Sequence, residues 1–133
     1  MRILIVEDDY TSMKLMQKLL TPYGETSTAG NGEEALEAFR MALETEQPFH
    51  LICLDIMMPG IDGQQVLKSI RAMEKVRGTG PKEEVKIIMT TALDSPKDVI
   101  EAYYQGGCSS YLVKPIDKQQ LIDKLIELDL IKA

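Results

Sequence analysis

The feature that most limits what this chain can fold into is the alternation of two hydrophobic periods along it. Short apolar runs at Ile3–Val6, Leu51–Leu54, Val85–Met89 and Tyr111–Val113 have strand length, and Thr26–Ala29 is a weaker fifth, polar and alternating. Between them apolar residues recur at helical spacing: Met16, Leu19, Leu20 and Tyr23; then Ala35, Leu36, Phe39 and Leu43; then Val66, Leu67, Ile70 and Met73. Two further stripes are Val99, Ala102 and Tyr103, and Leu121, Leu125 and Leu128. Boundary residues agree. Asn31 with Glu34 reads as a capping box, Asp62 as the cap of the third helix, and Ser95-Pro96 as a cap followed by a first-turn proline. The resulting order, βαβαβαβαβα, predicts a five-stranded parallel sheet with helices on both faces, since each crossover packs back onto the sheet with one hand. Apolar strands belong in its centre and the polar second strand at an edge.

The chain has 133 residues, which suits one α/β domain over 1–133. Fifteen Lys and Arg against 21 Asp and Glu leave a net charge of −6, so no general attraction to nucleic acid or anionic lipid is expected. No apolar stretch reaches membrane-spanning length, and the start lacks the form of a signal peptide. Cys53 lies in an apolar run and Cys108 in a Gly/Ser stretch, a pattern that is neither a disulfide framework nor a metal-ligand spacing. A cytoplasmic setting follows as the expectation. The Gly/Pro-rich, basic stretch from Arg77 to Lys82, including Gly78–Pro81, reads as a surface loop within the domain.

In open α/β sheets ligands bind beyond the carboxyl ends of the strands, where the strand order reverses. The residues predicted there are Glu7, Asp8 and Asp9 after strand one, Asp55 after strand three, Thr90 and Thr91 after strand four, and Lys114 after strand five. Taken singly, each has an ordinary explanation: acids after strands cap helices, and threonine suits a strand end. Their coincidence on one edge does not. Several carboxylates share a small site only when a cation offsets them or some are protonated. Oxygen donors without His or Cys point to Mg²⁺ or Mn²⁺, and Mg²⁺ commonly pairs one or two carboxylates with phosphate oxygens.

Four segments carry a family resemblance: Ile3–Asp9 (ILIVEDD), Leu54–Gly63 (LDIMMPGIDG), Thr91-Ala92 and Tyr111–Pro115 (YLVKP). In this order and spacing the chain resembles the receiver domain of two-component response regulators, chemotaxis regulators included, over essentially its whole length. The resemblance implies a doubly wound (βα)5 flavodoxin-like fold with strand order 2-1-3-4-5. It implies that Asp55 is the phosphoacceptor, fed by a histidine kinase or phosphotransfer protein. Asp8, Asp55 and the backbone carbonyl of Met57 would hold Mg²⁺, with Mn²⁺ a substitute and Glu7 acting through a water. Lys114 and Thr91 would bind phosphoryl oxygens, Thr91 and Tyr111 would form the switch, and Lys114-Pro115 would be a cis peptide. As the chain ends at Ala133, just past the fifth helix, a stand-alone receiver is expected, signalling to an unknown downstream protein as a monomer or a phosphorylation-dependent dimer.

Some positions depart from the family's usual pattern. Tyr103 and Tyr104 stand where small or aliphatic residues are common, and Gly106-Gly107-Cys108 replaces a Gly-Ala turn. Met57 and Leu93, two residues beyond Asp55 and Thr91, are apolar and predict a long-lived phosphorylated form, because neither can orient an attacking water. His50 precedes strand three, about four residues at ~3.3 Å each from the site, and cannot donate to Asp55 in the same molecule. Met13, Met16, Met73 and Met89 read as packing. A rival reading, an aspartate-nucleophile phosphatase, conflicts with the nucleophile following strand three and the lack of room for a cap domain. A flavodoxin-like cofactor carrier conflicts with Glu7, Asp8 and Asp9 in the loop where a phosphate cradle needs neutral donors.

Overall fold

The structure, a computed structural model, describes residues 1–92 and 107–133. Its strands are β1 (Arg2–Val6), β2 (Glu25–Ala29), β3 (Leu51–Asp55), β4 (Lys86–Thr91) and β5 (Ser110–Val113). The described helices are α1 (Tyr10–Leu20), α2 (Gly32–Glu44), α3 (Gly63–Val76) and α4 (Lys118–Glu127), with a 3-10 turn over Thr21–Tyr23. The five strands form one parallel sheet in the order β2-β1-β3-β4-β5. The expected Ser95-Pro96 cap, the stripe Val99, Ala102 and Tyr103, and Leu93, Tyr104 and Gly106 lie outside the described residues.

The alternation of side chains along each strand divides the core in two. Leu4, Val6, Ile52, Leu54, Ile87 and Met89 face α2 and α3, which close that side with Phe39, Val66, Leu67 and Ile70. Ile3, Ile5, Leu51, Cys53, Ile88 and Leu112 face α1 and α4, which return Met16, Leu20, Leu121 and Leu125. Central β3 is buried at every position, as a strand covered on both faces must be. β2 lies at the edge and buries only Ala29; its exposure does not alternate cleanly, because an edge strand of Thr and Ser has little to hide.

Caps set where the helices begin. Asp62 accepts from the Gln65 N–H while the Gln65 side chain returns to the Asp62 N–H, a complete capping box. The box read at Asn31 and Glu34 is only half made. Asn31 accepts from the Glu34 N–H at 2.8 Å, but the Glu34 carboxylate reaches one residue further, to the Gly30 N–H at 2.7 Å. Gly63, first in α3, abuts the end of β3 so closely that a Cβ there would lie 2.3 Å from the Asp55 carbonyl oxygen. Only glycine permits this approach, which seats the loop after Asp55.

Candidate functional site

Parallel strands deliver their last residues to one rim, and this rim collects the expected side chains. Asp55, the last residue of β3, is 3% exposed, and Glu7, just past β1, is 4% exposed. One carboxylate oxygen each from Glu7, Asp8 and Asp55 lie within 4.8 Å of one another, with Asp8 on the solvent side. Lys114, just past β5, extends its ammonium to Glu7 Oε2 at 2.6 Å and Asp55 Oδ2 at 3.4 Å. Two backbone bonds to β4 fix these arms: the Ile56 N–H donates to the Thr90 carbonyl at 2.9 Å and the Lys114 N–H to the Thr91 carbonyl at 2.7 Å. The Lys114-Pro115 peptide is cis.

The acids have separate local duties. The Asp9 carboxylate caps α1, accepting from the Ser12 N–H at 2.9 Å, and its bonds with Ser12 hold it below the usual carboxylate range. Asp9 is thus turned away from the cluster, while its N–H donates to Glu7 Oε1 at 3.1 Å. The Met57 N–H donates to Asp55 Oδ1 at 3.1 Å, placing the Met57 backbone beside that carboxylate while its side chain stands 60% exposed. Burial, and then the negative charge of Glu7, push Asp55 up from an ordinary 3.8 to about 6, against the pull of Lys114. Burial alone would lower the Lys114 ammonium, but its hydrogen bond to Glu7 and the charges of Asp55 and Glu7 outweigh this and hold it above its usual range.

Three carboxylates against one ammonium leave the cluster negative, and every donor is a hard oxygen. That set fits a divalent cation of the Mg²⁺ type, which takes few carboxylates and keeps other positions for water or phosphate. Thr91 is buried at the end of β4, and Tyr111 is half-buried on β5 opposite Met89. The strand register puts Thr91 and Tyr111 on the same face of the β4–β5 pair, the face toward α3. Tyr103, Tyr104 and Leu93 cannot be placed with them, being outside the described residues. His50 is far from this rim, at the amino end of the sheet, where its Nδ1 accepts from the Arg2 N–H at 2.9 Å.

Residues 3–126 match the response regulator receiver domain. This chain belongs to that family. Receiver domains are signalling switches of two-component phosphorelays and not enzymes acting on outside substrates, which removes the phosphatase reading. Among curated relatives, the chain is 37% identical over 120 residues to the probable transcriptional regulator ycf27 of Cyanidium caldarium, covering 90% of this chain and 42% of that protein. It spans less than two-thirds of the relatives it matches, 55% of one from Porphyra purpurea and 13% of the sensor histidine kinase GacS of Pseudomonas protegens. Among solved structures, it is similar to the receiver domain of the yeast response regulator Ssk1, crystallised with the histidine phosphotransfer protein Ypd1 of Saccharomyces cerevisiae. That pair shares 30% identity and a TM-score of 0.81 over 96% of this chain and 88% of the other. The CheX-CheY-BeF3-Mg+2 complex from Borrelia burgdorferi matches with 25% identity and a TM-score of 0.81, over 96% of this chain and 88% of that one. Chemotaxis-type receivers therefore share its fold.

Sequence reasoning paired Lys114 with the phosphoryl group and overlooked its shorter contact with Glu7, 107 residues away along the chain. It also passed over a second buried charge cluster. Glu74 of α3 is 3% exposed, paired with Arg71 Nη1 at 2.7 Å and accepting from the Val85 N–H at 2.7 Å. The one available signal was an Arg-to-Glu spacing of three on α3, which looks like a solvated pair.

Proposed function

We propose that residues 1–133 form one receiver domain in which Asp55 accepts a phosphoryl group from a histidine kinase or phosphotransfer protein. The observation that carries this reading is the charge imbalance of the pocket: three carboxylates gathered within 4.8 Å, two of them touched by a single Lys114. Such a site is costly to an apoprotein and rewards a ligand that brings both a cation and anionic oxygens. Asp8, Asp55 and the Met57 carbonyl would hold Mg²⁺, with Glu7 acting through a water; Mn²⁺ shares this preference for oxygen donors. The ion, when bound, would supply positive charge to offset that of the carboxylates and of the incoming phosphoryl group.

In the transfer, a carboxylate oxygen of ionised Asp55 attacks phosphorus, a P–O bond forms, and the P–N bond to the donor imidazole breaks with its electron pair left on nitrogen. Lys114 shifts toward the new phosphoryl oxygens, and the Thr91 hydroxyl donates to another. Because Thr91 and Tyr111 share a face of the β4–β5 pair, drawing Thr91 inward gives the Tyr111 ring space to turn, and a downstream protein reads that surface. A kinase-fed switch of this kind works in the cytoplasm; no helix among the described residues is long and apolar enough to cross a membrane.

The test is to incubate the chain with a small acyl phosphate and Mg²⁺ and to follow intact mass. One phosphoryl group should be gained, mapped to Asp55, and lost in Asp55→Asn. A gain that persists in Asp55→Asn refutes the assignment.

A further inference from the structure

β4 ends in two threonines, and the proposed function uses only Thr91. Thr90 is 4% exposed, and its side chain faces the α1 side of the sheet, in line with Ile88 and beside Leu112. Its carbonyl is taken by the Ile56 N–H, but its hydroxyl has no hydrogen-bond partner among the described residues. The Ser110 hydroxyl, also unpartnered, is sealed in the core. Thr90 instead borders a hollow of about 100 Å³ beside Lys114. Glu7 and Lys114 give it two more polar walls, and Leu15 and Met16 of α1, with Pro115 and Ile116, close the rest. Ser12, also in the wall, is bonded to Asp9.

An ammonium has three N–H donors. Glu7 Oε2 takes one from Lys114 at 2.6 Å and Asp55 Oδ2 another at 3.4 Å, which leaves a third without a partner among the described residues. Unpartnered polar groups around a space larger than the ~30 Å³ a water takes in the liquid are where ordered water binds. Glu7 and Lys114 offset each other in this wall, so charge selects neither an anion nor a cation. The geometry points to an ordered-water site held by the Thr90 hydroxyl, whose water takes over Glu7 when Lys114 moves to the phosphoryl group. This rests on the phosphoacceptor reading. Glu7 is 4% exposed, so the departing ammonium would otherwise leave a buried carboxylate oxygen short of a donor. A water already anchored on Thr90 turns to donate to it, and Thr90 is thereby a positioning residue for Lys114.

Thr90→Val removes the hydroxyl and keeps the shape, while Thr90→Ser keeps the hydroxyl. Oxygen-17 relaxation dispersion on the resting chain, without Mg²⁺ or donor, counts long-lived waters. Thr90→Val should hold at least one fewer than wild type and Thr90→Ser the same number, with amide NMR spectra retained elsewhere. With a small acyl phosphate and Mg²⁺, Thr90→Val should gain the phosphoryl group about fivefold more slowly at saturating donor, with the half-saturating donor concentration unchanged. Thr90→Ser should restore the rate. An equal water count in Thr90→Val overturns the site. A lost water with wild-type uptake overturns the positioning role, as does a slowing that Thr90→Ser shares. A wild type that gains no phosphoryl group refutes the phosphoacceptor reading instead, and the water count, which needs no phosphoryl group, still decides the site.

Discussion

The two ends of the same sheet each bury charge, and they do so in opposite ways. At the amino end, Glu74 meets Arg71 and the Val85 N–H, while Arg71 also donates to the Val85 carbonyl at 2.9 Å and the Gly107 carbonyl at 3.0 Å. One acid faces one base, with Glu84 3.5 Å from Arg71 at the exposed side. The cluster ties α3 to the start of β4 and to the turn before β5. At the carboxyl end, Glu7, Asp8 and Asp55 share one ammonium, and Asp55 is pushed up to about 6. A balanced buried cluster holds a fold together, and an unbalanced one waits for something to bind.

The largest effect is expected when a partner is removed from the balanced end. Glu74→Ala leaves the Arg71 guanidinium and the Val85 N–H without their acceptor, and should cost about 3–5 kcal/mol in denaturant unfolding. The folded fraction should still accept a phosphoryl group at the wild-type rate. A loss of acceptance in folded Glu74→Ala would mean that the two ends are not independent.

Next in size is a pH effect at the unbalanced end. The Asp55 carboxyl titrates near 6 when folded and near its ordinary 3.8 when unfolded, so the folded state binds the proton more tightly. Its contribution to stability is complete below about pH 4 and is lost as pH rises through about 6. Without divalent cations, unfolding free energy should fall by about 1–3 kcal/mol over that window. Asp55→Asn should flatten the decline and be the more stable protein at neutral pH. Parallel pH profiles for the two would refute the charge excess.

How much of this was legible in the sequence depended on the range of the interaction. Strands and helices were, because periodicity is local and the core obeys it: Leu4 and Val6 turn to one face, Ile3 and Ile5 to the other. The acidic rim was legible because strand ends carry it and because the motifs around Asp55 and Lys114 are distinctive. Arg71 and Glu74 were not, since their burial depends on the turn after α3 bringing Val85 back against them, a tertiary event with no local signature. The Lys114 contact with Glu7 needs β1 and β5, on either side of β3 and β4. The choice of Gly30 over Asn31 by Glu34 is decided by side-chain reach within one turn, finer than a motif specifies.

The smallest expected effect concerns lifetime. Met57 stands 60% exposed, its N–H on the Asp55 carboxylate. Replacing its thioether by an amide able to orient water should speed loss of the phosphoryl group several-fold in Met57→Asn, without changing how fast it is gained. Radiolabel decay after removal of the donor measures this. An unchanged decay would assign water positioning to another residue.

The most direct test of the contrast between the two ends is a calorimetric titration with Mg²⁺ alone, at neutral pH, on wild type, Asp8→Asn, Asp55→Asn and Glu74→Gln. One weak site is expected in wild type, retained in folded Glu74→Gln and lost or greatly weakened in both aspartate variants. Mg²⁺ binding that is unchanged in Asp8→Asn and Asp55→Asn would contradict it.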